Sequence, residues 1–292
     1  MMKSLLLILS LMLMAPVWAM EIVATTASMG MLARTVAGPE ARVTELAPPD
    51  RDAHMLQAKP SMLRALRDAR LLVAVGAELE IGWLPAAIQG SANAAIQPGR
   101  VGYFEAAAQV PLLDTGLVAD RAQGDVHPGG NPHVNLDPLR MASIARALAD
   151  RLAKLDPAQG AAYRQRAESF AAEIQQRTPL WRQRVAGKAG ALTYHKDAIY
   201  LLDFLAVPFL GTLEPVPGVS PTASHLEALA ARLKGGQGVI VHAPYQPAAG
   251  AIKLGEWTGM RVAMLPIEPS AKADARAYFA LIDRWVDVLA GQ

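Results

Sequence analysis

Residues 156–187 read “DPAQGAAYRQRAESFAAEIQQRTPLWRQRVAG” and carry a helical pattern at the centre of the chain. Six side chains recur at spacings of 4, 3, 4, 7 and 4 residues, as one face of an α-helix requires: Tyr163, Ala167, Phe170, Ile174, Trp181 and Val185. Pro157 suits the first turn of a helix, whereas Pro179 should kink or interrupt the helix near Arg177. The stretch therefore predicts one long helix over residues 157–187.

Short strand-like segments alternate with helical segments on both sides of this helix. The strand-like segments are residues 21–25, 42–46, 71–75, 190–194, 207–210, 238–242 and 261–265. Such alternation indicates βαβ units and parallel sheets. We therefore expect an α/β fold of two lobes, each with a parallel sheet flanked by helices. The lobes would span residues 20–156 and 188–292, and the long helix 157–187 would join them.

The first 19 residues have the pattern of a cleavable secretory signal peptide. Lys3 is followed by an apolar run from Leu5 to Trp18 and by Ala19 at a V-x-A site, which is the usual order in such signals. The run is short for a permanent membrane span, although an uncleaved anchor is the alternative. The chain has no cysteine, so it has neither a disulfide nor a lipid-anchored N-terminal cysteine. The sequence predicts a periplasmic protein that begins at Met20 and is not inserted in the membrane.

The charge of the chain is nearly balanced. It has 28 Lys and Arg and 26 Asp and Glu, and removal of Lys3 with the signal peptide leaves a formal charge of about +1. This balance gives no reason to expect binding to nucleic acid or to an anionic membrane. We also expect the protein to be a monomer.

Three of the six histidines lie in segments where ligands commonly bind. His54 lies in the loop “PPDRDAHMLQAKP”, His133 lies in “GDVHPGGNPHVNLDP”, and His195 directly follows the strand-like “GALTY”. Open α/β sheets bind ligands at the carboxyl ends of their strands, so the three could meet between the lobes. Imidazole nitrogens would then suit zinc and other borderline divalent ions. Each histidine alone could equally be a solvated or hydrogen-bonded loop residue.

Five segments, in this order and spacing, resemble the zinc- and manganese-type solute-binding proteins of metal ABC importers, the ZnuA/TroA-like cluster A-I family. “AHMLQAKPS” resembles the first-histidine segment of that family, “NPHVNLDP” its Asp/Asn-Pro-His…Leu-Asp-Pro segment, and “YHKDAIYLL” its third-ligand segment. “GAELEIGWL” and “LEPVPGVSPTASHLEAL” resemble two further segments. The resemblance covers nearly the whole mature chain. It implies a rigid helix between two lobes, and it implies that His54, His133 and His195 are metal ligands.

The function that this resemblance implies is binding rather than catalysis. A periplasmic receptor of this type delivers a metal ion to an ABC permease with a cytoplasmic ATPase, and a periplasmic metallochaperone is a further candidate partner. Manganese-type members commonly have a carboxylate as the third ligand, whereas this chain has His195. Nitrogen ligands favour Zn²⁺ over Mn²⁺ or Fe²⁺, so Zn²⁺ is the expected ion.

The sequence leaves the fourth ligand open. Many relatives supply an aspartate after the last strand, where this chain reads “MLPIEP” with Pro266 in that place and Glu268 two residues later. Glu268, His242 and water are the candidates. Zinc-type relatives also carry a histidine-rich loop before the second ligand, where this chain has only Asp125 and His127. We interpret His127 as an incidental turn residue, with a weak accessory site of Asp125 and His127 as the alternative.

Two other functions fit the same histidines. Three imidazoles and a water molecule are also the ligands of a catalytic zinc, so a zinc-dependent hydrolase is the main rival. The chain has no H-E-x-x-H motif, the compact signature of one hydrolase class, although Glu268 could serve as a base. The second rival is a receptor of the same type that is selective for Mn²⁺ or Fe²⁺.

Overall fold

The computed structural model describes residues 20–116 and 127–292, and its strands form two four-stranded parallel sheets. The first sheet contains β1 (Met20–Ala24), β2 (Ala41–Glu45), β3 (Leu71–Ala74) and β4 (Tyr103–Glu105), in the order β2-β1-β3-β4. The second contains β5 (Ala191–Thr193), β6 (Phe209–Thr212), β7 (Val239–His242) and β8 (Arg261–Met264), in the order β6-β5-β7-β8. The predicted α/β class with a parallel sheet in each lobe is confirmed.

Helices connect the strands and cover both faces of each sheet. They are α1 (Ala27–Ala37), α2 (Pro60–Asp68), α3 (Leu84–Ser91), α4 (Pro138–Leu155), α5 (Gly160–Val185), α6 (Ile199–Leu205), α7 (Ala223–Leu233), α8 (Ala249–Thr258) and α9 (Ala275–Ala290). None of the helices within the described residues is long and apolar enough to cross a membrane. The predicted signal peptide, residues 1–19, lies outside the described residues.

The long central helix is α5, and Pro179 does not interrupt it. Residues 157–159 form a 3-10 turn, and the α-helix runs without a break from Gly160 to Val185 with Pro179 inside it. Of the two expected effects of Pro179, a kink or an interruption near Arg177, the interruption was therefore wrong. All six residues of the predicted stripe are buried, and Trp181 donates a 2.6 Å hydrogen bond from Nε1 to Asp283 of α9. Pro179 has no backbone N–H, so the helix lacks one of its hydrogen bonds there. Tertiary packing on both sides of Pro179 offsets this loss.

One apolar core extends through both lobes. It joins buried residues of strands in the first sheet and in the second with residues of α1, α4, α5 and α9. Two smaller apolar clusters cover the other faces, one beneath α2 and α3 and one beneath α7 and α8. A wide rotation of one lobe against the other would expose this shared core, so the lobes are held at a fixed separation by the hydrophobic effect.

Two strands differ from the sequence-based expectation. β4 was not predicted, because its three residues are too few to show a periodic pattern. β6 begins at Phe209 rather than Val207. Pro208 lies just before it and has no N–H to offer a sheet, but its carbonyl accepts a 3.0 Å hydrogen bond from the Ala191 N–H of β5.

A polar contact also ties the lobes together. Glu268, in the loop after β8, accepts a 2.6 Å hydrogen bond from the backbone N–H of Ser28 in the first turn of α1 and a second from its hydroxyl. Asn135 donates from Nδ2 to the Ile267 carbonyl at 2.6 Å and to Glu268 at 3.3 Å. Burial raises the pKa of Glu268 to about 7, although the hydrogen bonds from Ser28 act in the opposite direction.

Glu268→Gln should flatten the pH dependence of stability in the metal-free protein. The pKa of Glu268 is raised from 4.5 to about 7, so between these values the folded chain binds a proton that the unfolded chain does not. The free energy of unfolding of the wild type should therefore fall as the pH rises through this window, by at most about 3 kcal/mol from this group. Urea unfolding at pH 5, 6, 7 and 8 measures the slope.

The control for this measurement is Glu227→Gln, which removes an exposed carboxylate on α7. It should keep the wild-type slope. Equal slopes in wild type and Glu268→Gln would show that Glu268 does not hold its proton more tightly in the folded state.

Candidate metal centre

The three predicted histidines converge on one point. His54 lies in the loop between β2 and α2, His133 lies just before the 3-10 turn that leads into α4, and His195 lies two residues after the end of β5. Within the described residues, one ring nitrogen of each lies within 4.8 Å of the others, and the ring centroids are 5.1, 5.2 and 5.7 Å apart. The three line a cleft that both lobes border. In each sheet the first strand lies between the second and third strands, and such switch points at the carboxyl ends of parallel strands are where open α/β sheets bind ligands.

His54 is oriented by Asp52. The Oδ1 atom of Asp52 accepts a 2.9 Å hydrogen bond from the backbone N–H of His54 and lies 2.7 Å from its Nδ1. Burial alone would raise the pKa of Asp52, but its hydrogen bonds and charge interaction with His54 hold the pKa below its usual value. The ionised carboxylate therefore places the imidazole proton on Nδ1 and leaves the Nε2 lone pair for the site.

His195 is oriented in the same way by Glu214, at the end of the neighbouring strand. Its Nδ1 lies 2.7 Å from Oε2 of Glu214, which also accepts a 3.2 Å hydrogen bond from the Gly218 N–H. Burial opposes a positive charge on His195, yet Glu214 and Asp197 together hold its pKa above the usual value. A second carboxylate–histidine pair thus presents an Nε2 atom to the same point.

His133 forms the floor of the site. Asn131 accepts a 2.9 Å hydrogen bond from the His133 backbone N–H and donates one of 2.9 Å to the Lys196 carbonyl, beside His195. The Nε2 atom of His133 is buried and has no hydrogen-bond partner among residues 20–116 and 127–292. Burial, and then the charges of the neighbouring histidines, lower its pKa well below the usual value. The ring is therefore neutral and offers an unshared electron pair, as a metal ligand must.

Glu268 and His242, proposed from the sequence as fourth ligands, do not join this group of three. Glu268 is bound by Ser28 and Asn135 at the contact between the lobes. His242 is the last residue of β7, and its Nδ1 contacts the Ala243 carbonyl at 3.0 Å. Sequence order could not reveal these contacts, because each depends on how the loops after β7 and β8 pack against other elements.

His127 lies beside the site and contacts His54, outside the group of three. Its Nε2 is 3.2 Å from Nε2 of His54, and the two ring centroids are 5.3 Å apart. Burial, and then the charges of His54 and His195, lower the pKa of His127 to about 4, so this ring too is neutral at pH 7. Asp125, its partner in the suggested accessory site, lies outside the described residues.

Sequence reasoning also missed Asp52 and Glu214. An aspartate two residues before another residue is common in loops whose side chains bond their own backbone. The spacing of Asp52 and His54 was therefore only weak evidence that Asp52 contacts the His54 ring. Glu214 is 19 residues from His195 and meets it only because β5 and β6 are neighbours in the sheet.

The family described as “Zinc-uptake complex component A periplasmic” (ZnuA) matches residues 22–292 of the chain. The chain belongs to this family. The family comprises metal-binding solute receptors that work with ABC transporters, so the prediction of a receptor is confirmed and the hydrolase alternative falls away. A search of curated proteins by sequence finds no match.

Solved structures show the same fold at low sequence identity. A structure described as “Crystal structure of ZnuA” has a TM-score of 0.74 and 20% identity, covering 92% of this chain and 98% of that one. FpvC from Pseudomonas aeruginosa in complex with Mn²⁺ has a TM-score of 0.77 and 22% identity, covering 93% and 97%. The laminin-binding protein Lmb of Streptococcus agalactiae, described as an adhesin with metal-transporting activity, has a TM-score of 0.74 and 21% identity, covering 94% and 99%.

The His195–Glu214 pair predicts a measurable difference among the histidines of the metal-free protein. His195 should titrate above the usual pKa of 6.5, whereas His133 should stay neutral well below it. Glu214→Gln removes a negative charge that stabilises the protonated form of His195. Because burial then acts with less opposition, the pKa of His195 should fall. Ring chemical shifts followed by NMR between pH 4 and 9 report each titration. An unchanged His195 titration in Glu214→Gln would rule out this assignment of the charge partner.

Proposed function

We propose that this protein is a periplasmic receptor that binds Zn²⁺ through His54, His133 and His195. The observation that carries the proposal is the buried Nε2 of His133, which has no hydrogen-bond partner in the described part of the chain. It faces two histidines that each have a carboxylate partner of their own. An unsatisfied buried nitrogen costs about 1–3 kcal/mol. A bound cation removes this cost, and the two carboxylates offset part of its charge.

The choice of Zn²⁺ rests on the donor atoms. The group of three contains imidazole nitrogens and no carboxylate oxygen, and such a set favours zinc over the harder Mn²⁺. The titles of similar structures name several ions: FpvC is in complex with Mn²⁺ and with Ni²⁺, and a periplasmic metal-binding protein of Candidatus Liberibacter asiaticus is bound to Cd. Fold similarity therefore does not choose the metal, and the support for Zn²⁺ comes from the nitrogen donors.

The transport role follows from the same proposal. Residues 1–19 would be removed on secretion, and the mature protein would begin at Met20 as a soluble monomer without a lipid anchor. The lobes, residues 20–156 and 188–292, would present the loaded site to an ABC permease with its cytoplasmic ATPase. A periplasmic metallochaperone that supplies the ion is a further proposed partner.

Metal competition tests the proposal. The purified protein is stripped with chelator, exposed to equimolar Zn²⁺, Mn²⁺ and Fe²⁺ and dialysed, and the metal content per chain is measured by mass spectrometry. We expect about one zinc per chain in the wild type and a loss of most of it in His133→Ala, since an imidazole ligand cannot be replaced by a methyl group.

The matched control is His225→Ala on α7. His225 is outside the group of three, and its Nε2 contacts the Thr212 carbonyl at 3.2 Å. This variant should retain zinc as the wild type does, and circular dichroism should show that all three proteins are folded. Equal zinc retention in His133→Ala and wild type, or a preference for Mn²⁺ or Fe²⁺, would contradict the proposal.

A further inference from the structure

We infer that Trp83 and Glu80 are positioning residues for His54, because together they hold the loop that carries it against the rest of the N-terminal lobe. This inference rests on the proposed function, since it names the residues that keep one of the three proposed ligands in place. Both lie in the turn of residues 75–83, which connects β3 with α3. Neither belongs to the group of three.

The loop that carries His54 has little regular structure of its own. Residues 46–59 connect β2 with α2 and contain turns and bends but no helix or strand. The contact between Asp52 and His54 is internal to this loop, so it orients the ring without fixing the loop. An imidazole on such a loop keeps its place only if a residue outside the loop holds the backbone.

Trp83 supplies this attachment. Its indole Nε1 donates a 2.8 Å hydrogen bond to the carbonyl of Ala53, the residue before His54. Among the residues that the structure describes, this bond and the contact of the His54 ring with His127 are the hydrogen bonds that join residues 48–58 to the rest of the chain. The Trp83 ring is buried in the apolar cluster beneath α2 and α3, so the donor cannot shift without disturbing close packing.

The turn that carries Trp83 has a strained backbone. Gly76, Ala77 and Glu78 have successive φ angles of +82°, +46° and +66°. Glycine adopts this left-handed region freely, whereas a residue with a Cβ does so at a cost in free energy. Ala77 is half-buried and Glu78 is exposed, so burial of their side chains does little to offset that cost. Such a backbone persists only where the surrounding contacts hold it.

Glu80 makes the contacts that hold this backbone. Its side chain is buried, and its two carboxylate oxygens accept hydrogen bonds of 2.8 and 3.1 Å from the N–H groups of Val75 and Gly76. Its own carbonyl accepts bonds of 3.1 and 2.9 Å from the N–H groups of Trp83 and Leu84. Glu80 therefore joins the end of β3 to the start of α3 and fixes the position of Trp83 between them.

Zinc affinity tests the role of Trp83. Trp83→Phe keeps an aromatic ring in the apolar cluster but removes the hydrogen-bond donor to Ala53. Since loss of a group that orients a metal ligand weakens metal binding 10–100-fold, we expect the dissociation constant for Zn²⁺ to rise at least about tenfold. Competition with a chelating dye measures this constant in the full-length mature protein, and circular dichroism checks that the variant is folded.

The same substitution in two histidine variants separates positioning from general damage to the fold. Because Trp83 acts through His54, Trp83→Phe should have no further effect on zinc affinity in His54→Ala but should keep its full effect in His195→Ala. Calorimetric titration at higher zinc concentration measures these weaker affinities. Wild-type affinity in Trp83→Phe, or equal losses in both backgrounds, would overturn the inference and leave the proposed function standing. A wild type that binds no zinc would overturn both.

Glu80→Gln tests the turn itself. The amide replaces one acceptor oxygen with a donor that faces a backbone N–H, so the turn should relax and zinc binding should weaken as in Trp83→Phe. Adding Ala77→Gly and Glu78→Gly removes the cost of the left-handed backbone and should restore part of the affinity.

Ala206→Gly is the matched control for these glycine substitutions. Ala206 is an exposed residue with a φ of +54° at the end of α6, so the substitution relieves the same kind of strain elsewhere and should restore no affinity to Glu80→Gln. Restoration by both sets of glycines, or by neither, would contradict the role assigned to Glu80.

Discussion

The Nε2 atom of His133 is buried with no hydrogen-bond partner among the residues that the structure describes, and His54 and His195 lie around it. A neutral imidazole in this position costs stability unless a cation binds it. The flanking rings face the same point because Asp52 and Glu214 each hold an Nδ1 atom from behind. In the proposed metal site the two carboxylates would act without touching the ion: they set which nitrogen carries the proton, and they would compensate the charge of the metal.

The shared core explains how residues so far apart in sequence keep this geometry. Helices α1, α4, α5 and α9 pack between the sheets, and the polar contact of Glu268 with Ser28 reinforces the same interface. His54 and His133 belong to the part of the chain that contains the first sheet, and His195 belongs to the part that contains the second sheet. Because the proposed ligands lie on loops above this packed core, we expect a bound ion to be released through small loop movements. The low stability of loops relative to cores makes such movements inexpensive.

Much of the fold follows from local patterns in the sequence. The stripe of α5 has the spacing of one buried helix face, and the continuous apolar runs of β3 and β7 are typical of strands buried on both faces. His195 was found because it follows the strand-like segment 190–194. Features set by tertiary packing were missed. Pro179 was expected to interrupt α5, but Trp181 holds the helix to α9. His127 and Glu214 meet the site through a folded turn and a neighbouring strand, which no sequence spacing encodes.

Anomalous diffraction at the zinc edge, from crystals of the zinc-loaded protein, tests the central claim most directly. The account predicts one strong anomalous peak per chain, bonded at about 2.0–2.1 Å to the Nε2 atoms of His54, His133 and His195. A peak elsewhere, or none in protein that was loaded and dialysed, would contradict it.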